Sequence, residues 1–125
     1  MNPPRLVADD LRRLPPPVAT PADCDCRHLV CPGWESVSSP PGEPLLRHLG
    51  TLRDPADDEP TLQELHPGGT RYGSPDAPIA PAFFPFNRCE VWACRACGRG
   101  FLQYTEFGGY YIDHRLREVD PALVA

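Results

Sequence analysis

The chain has 125 residues, a formal charge of −5 from 12 Lys+Arg against 17 Asp+Glu, and an apolar fraction of 41%. That length suits one folded unit, and the acidic balance argues against general affinity for phosphate backbones or anionic membranes, favouring a basic partner. With 10 Gly and 18 Pro, long regular elements are scarce, and with 6 Cys a second source of order is at hand. All the cationic residues are arginine, because the chain contains no lysine.

The first seventeen residues, MNPPRLVADDLRRLPPP, lack an apolar run of the secretory type, and no later stretch is long and apolar enough for a membrane span. A cytoplasmic setting is therefore expected, where clustered cysteines are more often metal ligands or redox catalysts than disulfides. Within the segment, Leu6, Val7, Leu11 and Leu14 recur at helical spacing. They predict an amphipathic helix over residues 3 to 14, with Pro3 and Pro4 at its start and Pro15 to Pro17 as its stop.

Residues 18 to 43 read as a cysteine-containing loop. Beyond it Leu45, Leu46, Leu49 and Leu52 predict a second short helix, starting at Pro44 and ending at Gly50. The connector DPADDEP follows; its Asp54, Asp57, Asp58 and Glu59 form a solvated acidic turn or a patch for a basic partner. TLQE at Thr61 to Glu64 matches a capping box and predicts a third short helix, closed by Pro67, Gly68 and Gly69. From there to residue 87, Phe83, Phe84 and Phe86 lay a Pro-rich loop across the body as core anchors, the alternative being an exposed partner-binding loop.

The β signal lies in residues 89 to 117. CEVWAC, GFLQYTEF and YYIDHRL are rich in β-branched and aromatic residues; a cysteine turn separates the first two and Gly108 and Gly109 the last two. This predicts a three-stranded antiparallel meander. Residues 118 to 125 form a tail, with Asp120 as an N-cap and Pro121 at the first helical position. The fold class expected is a small, irregular α+β single domain with a few short helices and long Pro-rich loops.

Cys94, Arg95, Ala96, Cys97 and Gly98 make a CxxCG turn between two strands. Thiolates at i and i+3 of such a turn can grip one metal while following N–H groups point at the sulfurs. The motif resembles the knuckle of zinc ribbons and rubredoxins, and the strand, knuckle, strand, turn, strand order from 89 to 115 looks like the ribbon half of that group. The resemblance covers about a quarter of the chain. A structural site needs four ligands, and CDCRHLVCPG is the obvious donor of the other two. Cys26 and Cys31 are favoured, giving the set Cys26, Cys31, Cys94 and Cys97, with Cys24, His28 and Cys89 as substitutes. CxxxxC in place of the usual CxxC is a departure from the ribbon pattern. One Zn²⁺ ion is expected, ahead of iron.

His28, His48, His66 and His114 show no HExxH spacing, so a hydrolase site is not supported. The leading function is a non-enzymatic structural-zinc protein serving as a protein-interaction module, of adaptor or inhibitor and immunity type. A nucleic-acid-associated zinc ribbon, using Arg88, Arg95 and Arg99 with Trp92, Phe101 and Tyr104, is the alternative, and net acidity counts against it. A CxxC thiol–disulfide redox protein is a further alternative; it needs an exposed low-pKa thiolate, commonly at a helix N-terminus, and a strand follows here instead.

Overall fold

The computed structural model describes residues 3 to 31, 33 to 39 and 45 to 125. One short helix, α1 (Ala8–Arg12), precedes five strands: β1 (Glu35–Val37), β2 (Leu46–Thr51), β3 (Glu90–Cys94), β4 (Gly100–Phe107) and β5 (Ile112–Glu118). They form one antiparallel sheet in the order β1-β5-β4-β3-β2. The predicted meander is its centre, and β1 and β2 extend it to five strands. Among the described residues no helix is long and apolar enough to cross a membrane.

Directly opposed residues share a face of the sheet, so the register sorts the side chains into two layers. Val91 opposite Leu102, and Leu102 opposite Arg117, point to one face. There Leu11, Trp34, Leu52, Ile79, Phe86, Cys89, Tyr104 and Val119 complete the larger core. Leu46 opposite Cys94, and Trp92 opposite Phe101, point to the other face. That layer is smaller and holds Cys24, Cys26 and Leu116. The aromatic loop behaves as expected, with Phe86 buried against Trp34 at 5.8 Å and Phe84 edge-on to Tyr104 at 6.2 Å.

Three predicted helices turn out differently. The first is reduced to α1: residues 4 to 6 instead run beside the end of β2, Leu6 N–H donating to the Thr51 carbonyl at 2.7 Å and Thr51 N–H to that of Pro4 at 3.0 Å. The helix expected from Pro44, a position outside the described residues, is replaced by strand β2. Its leucine spacing imitates a helix because a bulge between His48 and Gly50 slips the register, so Leu46 and Leu52 enter different cores. A helix that short has too few hydrogen bonds to repay nucleation, whereas the strand pairs along β3.

The third helix, at Thr61, is absent because its backbone is used elsewhere. Phe84 N–H donates to the Gln63 carbonyl at 2.8 Å and the Asn87 amide to that of Thr61 at 2.8 Å. Glu64, the partner needed for the box, accepts from His66 at 2.8 Å instead. The loop over residues 18 to 43 also holds more structure than expected, namely a 3₁₀ turn at Asp25–Leu29 and strand β1. The tail follows its expected form: Asp120 accepts from Ala122 N–H at 3.0 Å and caps a 3₁₀ turn at Pro121–Leu123.

Gly50 lies where the N-terminal segment crosses the bulge. A Cβ there would collide with the Pro4 carbonyl oxygen and sit 2.8 Å from Leu6 Cγ. Since the carbonyl belongs to a paired backbone, Gly50→Ala is expected to destabilise the protein by about 1 to 3 kcal/mol, measured by chemical denaturation.

Candidate metal centre

The knuckle is set by three backbone hydrogen bonds. Cys94 N–H donates to the Arg99 carbonyl at 2.9 Å, Gly98 N–H to that of Cys94 at 2.9 Å, and Arg95 N–H to that of Leu45 at 3.1 Å, which ties the turn to β2. Gly98 takes φ +84°, a conformation side-chain-bearing residues rarely adopt, and this returns the chain into β4. The turn therefore presents Cys94 and Cys97 on the side of the smaller core.

The facing half comes from the 3₁₀ turn at Asp25–Leu29, where Arg27 N–H donates to the Cys24 carbonyl at 2.9 Å. Cys24 and Cys26 are buried, flanking exposed Asp25. Sulfurs of Cys24, Cys26, Cys94 and Cys97 all lie within 4.8 Å of one another. The pairs joining the two halves, Cys24 with Cys94 and Cys26 with Cys97, are each 3.6 Å apart. A metal bonded to four sulfurs at about 2.3 Å has tetrahedral edges of about 3.8 Å. The cluster thus has the dimensions of a tetrahedral thiolate site, and its S···S separations far exceed the ~2.05 Å of a disulfide.

Electrostatics differ among the four thiols. Burial opposes ionisation of Cys94, but the N–H groups of Cys97 and Ala96 and the neighbouring Cys24 and Cys26 thiols stabilise its thiolate, which brings its pKa to about 7. Burial, followed by hydrogen bonding to Cys97, Cys24 and Cys94, pushes Cys26 far up. Cys97 is also raised, burial leading, although Arg99 N–H favours its thiolate. Cation entry would displace the protons these thiols retain.

The other sequence candidates sit elsewhere. Cys31 is outside the group, its position taken by Cys24: after the 3₁₀ turn Val30 is extended, and Cys31 is carried toward β5, where its thiol approaches the Leu116 carbonyl at 3.7 Å. Burial, then the Glu35 charge, raises the Cys31 pKa to about 11. Cys89 lies in the larger core, donating to the Pro85 carbonyl at 3.3 Å, and behaves as a small apolar residue. His28 is exposed.

Arg99, read from sequence as a surface cation, is only 6% exposed. Its Nη1 donates to Glu118 Oε2 at 2.5 Å. Nothing in the sequence distinguishes it from Arg95, which is exposed. Phe101 and Tyr104 are likewise buried, so their rings present no stacking surface. Arg117 was not singled out by sequence; it is buried on the other face, donating to the Ala77 carbonyl at 2.7 Å with its guanidinium over Phe86 at 5.6 Å.

The chain thus contains a buried four-cysteine cluster able to coordinate a metal ion. Comparison with known proteins finds no matching family model, curated protein or solved structure.

Proposed function

We propose that this is a non-enzymatic protein in which one structural Zn²⁺, held by Cys24, Cys26, Cys94 and Cys97, locks the N-terminal turn onto the sheet, and that the protein so stabilised binds a protein partner. The observation that carries the reading is the four sulfurs within 4.8 Å of one another, three of them on buried cysteines and the fourth on half-buried Cys97. Four thiolates complete a tetrahedral shell and leave no ligand position for water, which suits a structural role better than Lewis-acid chemistry. The metal would bridge residues 70 positions apart, Cys24 and Cys94, and so close a long loop that the small, Pro-rich core must otherwise hold.

Native mass spectrometry with elemental analysis and thiol counting, on protein purified without chelator, tests the reading. The expected result is one zinc per chain, with those four cysteines protected from alkylation and half-buried Cys31 the first to react. A metal-free chain with Cys94 and Cys97 oxidised to each other would overturn it in favour of thiol exchange, and bound iron would reassign the metal.

A further inference from the structure

One stretch of the central sheet is unpaired. β3 begins at Glu90, opposite Gln103, whereas β4 continues to Phe107 against β5 alone. The chain leaves the sheet at Cys89, whose carbonyl accepts from Leu52 N–H at 2.9 Å. The lane beside β4 residues 104 to 107 therefore holds no strand among the described residues.

The phase of the ladders identifies the groups that face this lane. Cys94 N–H donates to Arg99 and Val119 N–H donates to Gly100. Antiparallel bonding alternates residue by residue, so odd-numbered positions of β4 bond toward β3 and even-numbered ones toward β5. Gly108 N–H donating to Tyr111 keeps the same phase at the tip. The N–H and C=O groups of Thr105 and Phe107 consequently point into the open lane.

The lane opens on a groove of 870 Å³ lined by Tyr104, Thr105 and Phe107 and, from the neighbouring segments, by Arg53, Asp57 and Asp58. Exposed edges are ordinarily blunted by lysine, proline or charge; residues 104 to 107 hold no lysine or proline, and their one charge, Glu106, accepts from the Tyr111 hydroxyl at 3.2 Å. Phe107 is 76% exposed, and Tyr110, Tyr111 and Ile112 continue the apolar surface around the hairpin tip.

We propose that this groove binds an extended, net-positive peptide segment of a partner protein, which adds as a strand to β4 along Thr105 and Phe107. Edge addition takes affinity from backbone hydrogen bonds and selectivity from alternate side chains. Charge selects the basic class: the lining carries four carboxylates against three guanidiniums, on a chain of formal charge −5. Two of those guanidiniums are engaged internally, Arg5 with Asp54 at 3.6 Å and Arg88 with the Pro60 carbonyl at 3.0 Å, and so are two of the carboxylates, Asp54 by Arg5 and Glu90 by His48 at 3.0 Å, which leaves Asp57 and Asp58 against Arg53. The carboxylates of Asp57 and Asp58 have no ion-pair partner among the described residues. The proposal rests on the reading of the chain as a protein-interaction module and is independent of which metal the cysteines hold.

The test uses the full chain as purified, with its metal content measured, and a fluorescein-labelled octapeptide of alternating arginine and valine. Saturable binding by fluorescence anisotropy is expected, ~10-fold weaker when glutamate replaces arginine, and ~10-fold weaker when one of the two alternate sets of residues, the one whose N–H groups face β4, is N-methylated, the other set tolerating it. The Thr105 and Phe107 amides are expected to exchange more slowly in the complex. Asp57→Asn combined with Asp58→Asn is expected to weaken the arginine peptide about threefold without changing metal content. No saturable binding at low ionic strength, undiminished binding after N-methylation in both registers, or a self-associated chain that the peptide dissociates would overturn the proposal, the last assigning the groove to a second copy. A metal-free chain that binds the peptide would defeat the metal reading alone; a one-zinc chain that does not would defeat this one alone.

Discussion

Cys24→Ser is expected to abolish stoichiometric metal retention and unfold much of the chain, whereas Cys31→Ser keeps both metal and fold. The contrast follows from position: Cys24 Sγ lies 3.6 Å from Cys94 Sγ inside the cluster, and Cys31 Sγ lies outside it, donating to the backbone carbonyls of Gly33 and Leu116 at 3.8 and 3.7 Å. Structural zinc contributes about 10 to 16 kcal/mol of apparent binding free energy in small domains, against a total stability of about 5 to 15 kcal/mol. Losing one of four ligands therefore threatens the whole fold. Exchanging a half-buried thiol that makes weak contacts costs about 1 kcal/mol. Native mass spectrometry gives the metal count, and thermal melts followed by near-UV circular dichroism give the fold. Metal retention by Cys24→Ser together with loss in Cys31→Ser would reverse the ligand assignment.

The knuckle and the meander were legible because their signals are local. CxxCG needs only its own turn, and the strands on either side carry β-branched and aromatic residues in short runs. The partner half of the cluster was legible only as a region. Whether Cys24 or Cys31 joins Cys26 depends on where the 3₁₀ turn stops and the chain extends toward β5, which is a tertiary outcome. The segment from Leu46 to Thr51 shows how a bulge disguises a strand: one additional residue shifts the apolar positions from period two toward helical spacing. At Thr61 the local capping signal is outcompeted by carbonyls that Phe84 and Asn87 need. Arg99 and Arg117 could not have been recognised, because a buried arginine carries the same letter as an exposed one and its burial follows from distant packing.

Arg99→Met is expected to destabilise the metal-loaded protein by about 3 to 5 kcal/mol, and most of that loss should be recovered by adding Glu118→Leu. Arg99 and Glu118 side chains are 7% and 13% exposed, and their 2.5 Å contact joins the start of β4 to the end of β5 beside the cluster. Removing the guanidinium alone leaves a carboxylate largely withdrawn from water without its counter-charge. Removing both members also removes the desolvation that their attraction had to offset, so the double variant should lie much closer to the parent than either single one. The alternative, in which the pair behaves like a solvent-exposed bridge, predicts single-variant losses below about 1 kcal/mol and strong attenuation by salt. Denaturant titrations of the four proteins, each with one metal bound and at two ionic strengths, separate these outcomes. Because the Arg99 backbone N–H favours the Cys97 thiolate and the guanidinium is buried beside the cluster, metal content must be measured for every variant: a loss of metal in Arg99→Met that Glu118→Leu does not restore would place the guanidinium's main role at the thiolates rather than at the carboxylate.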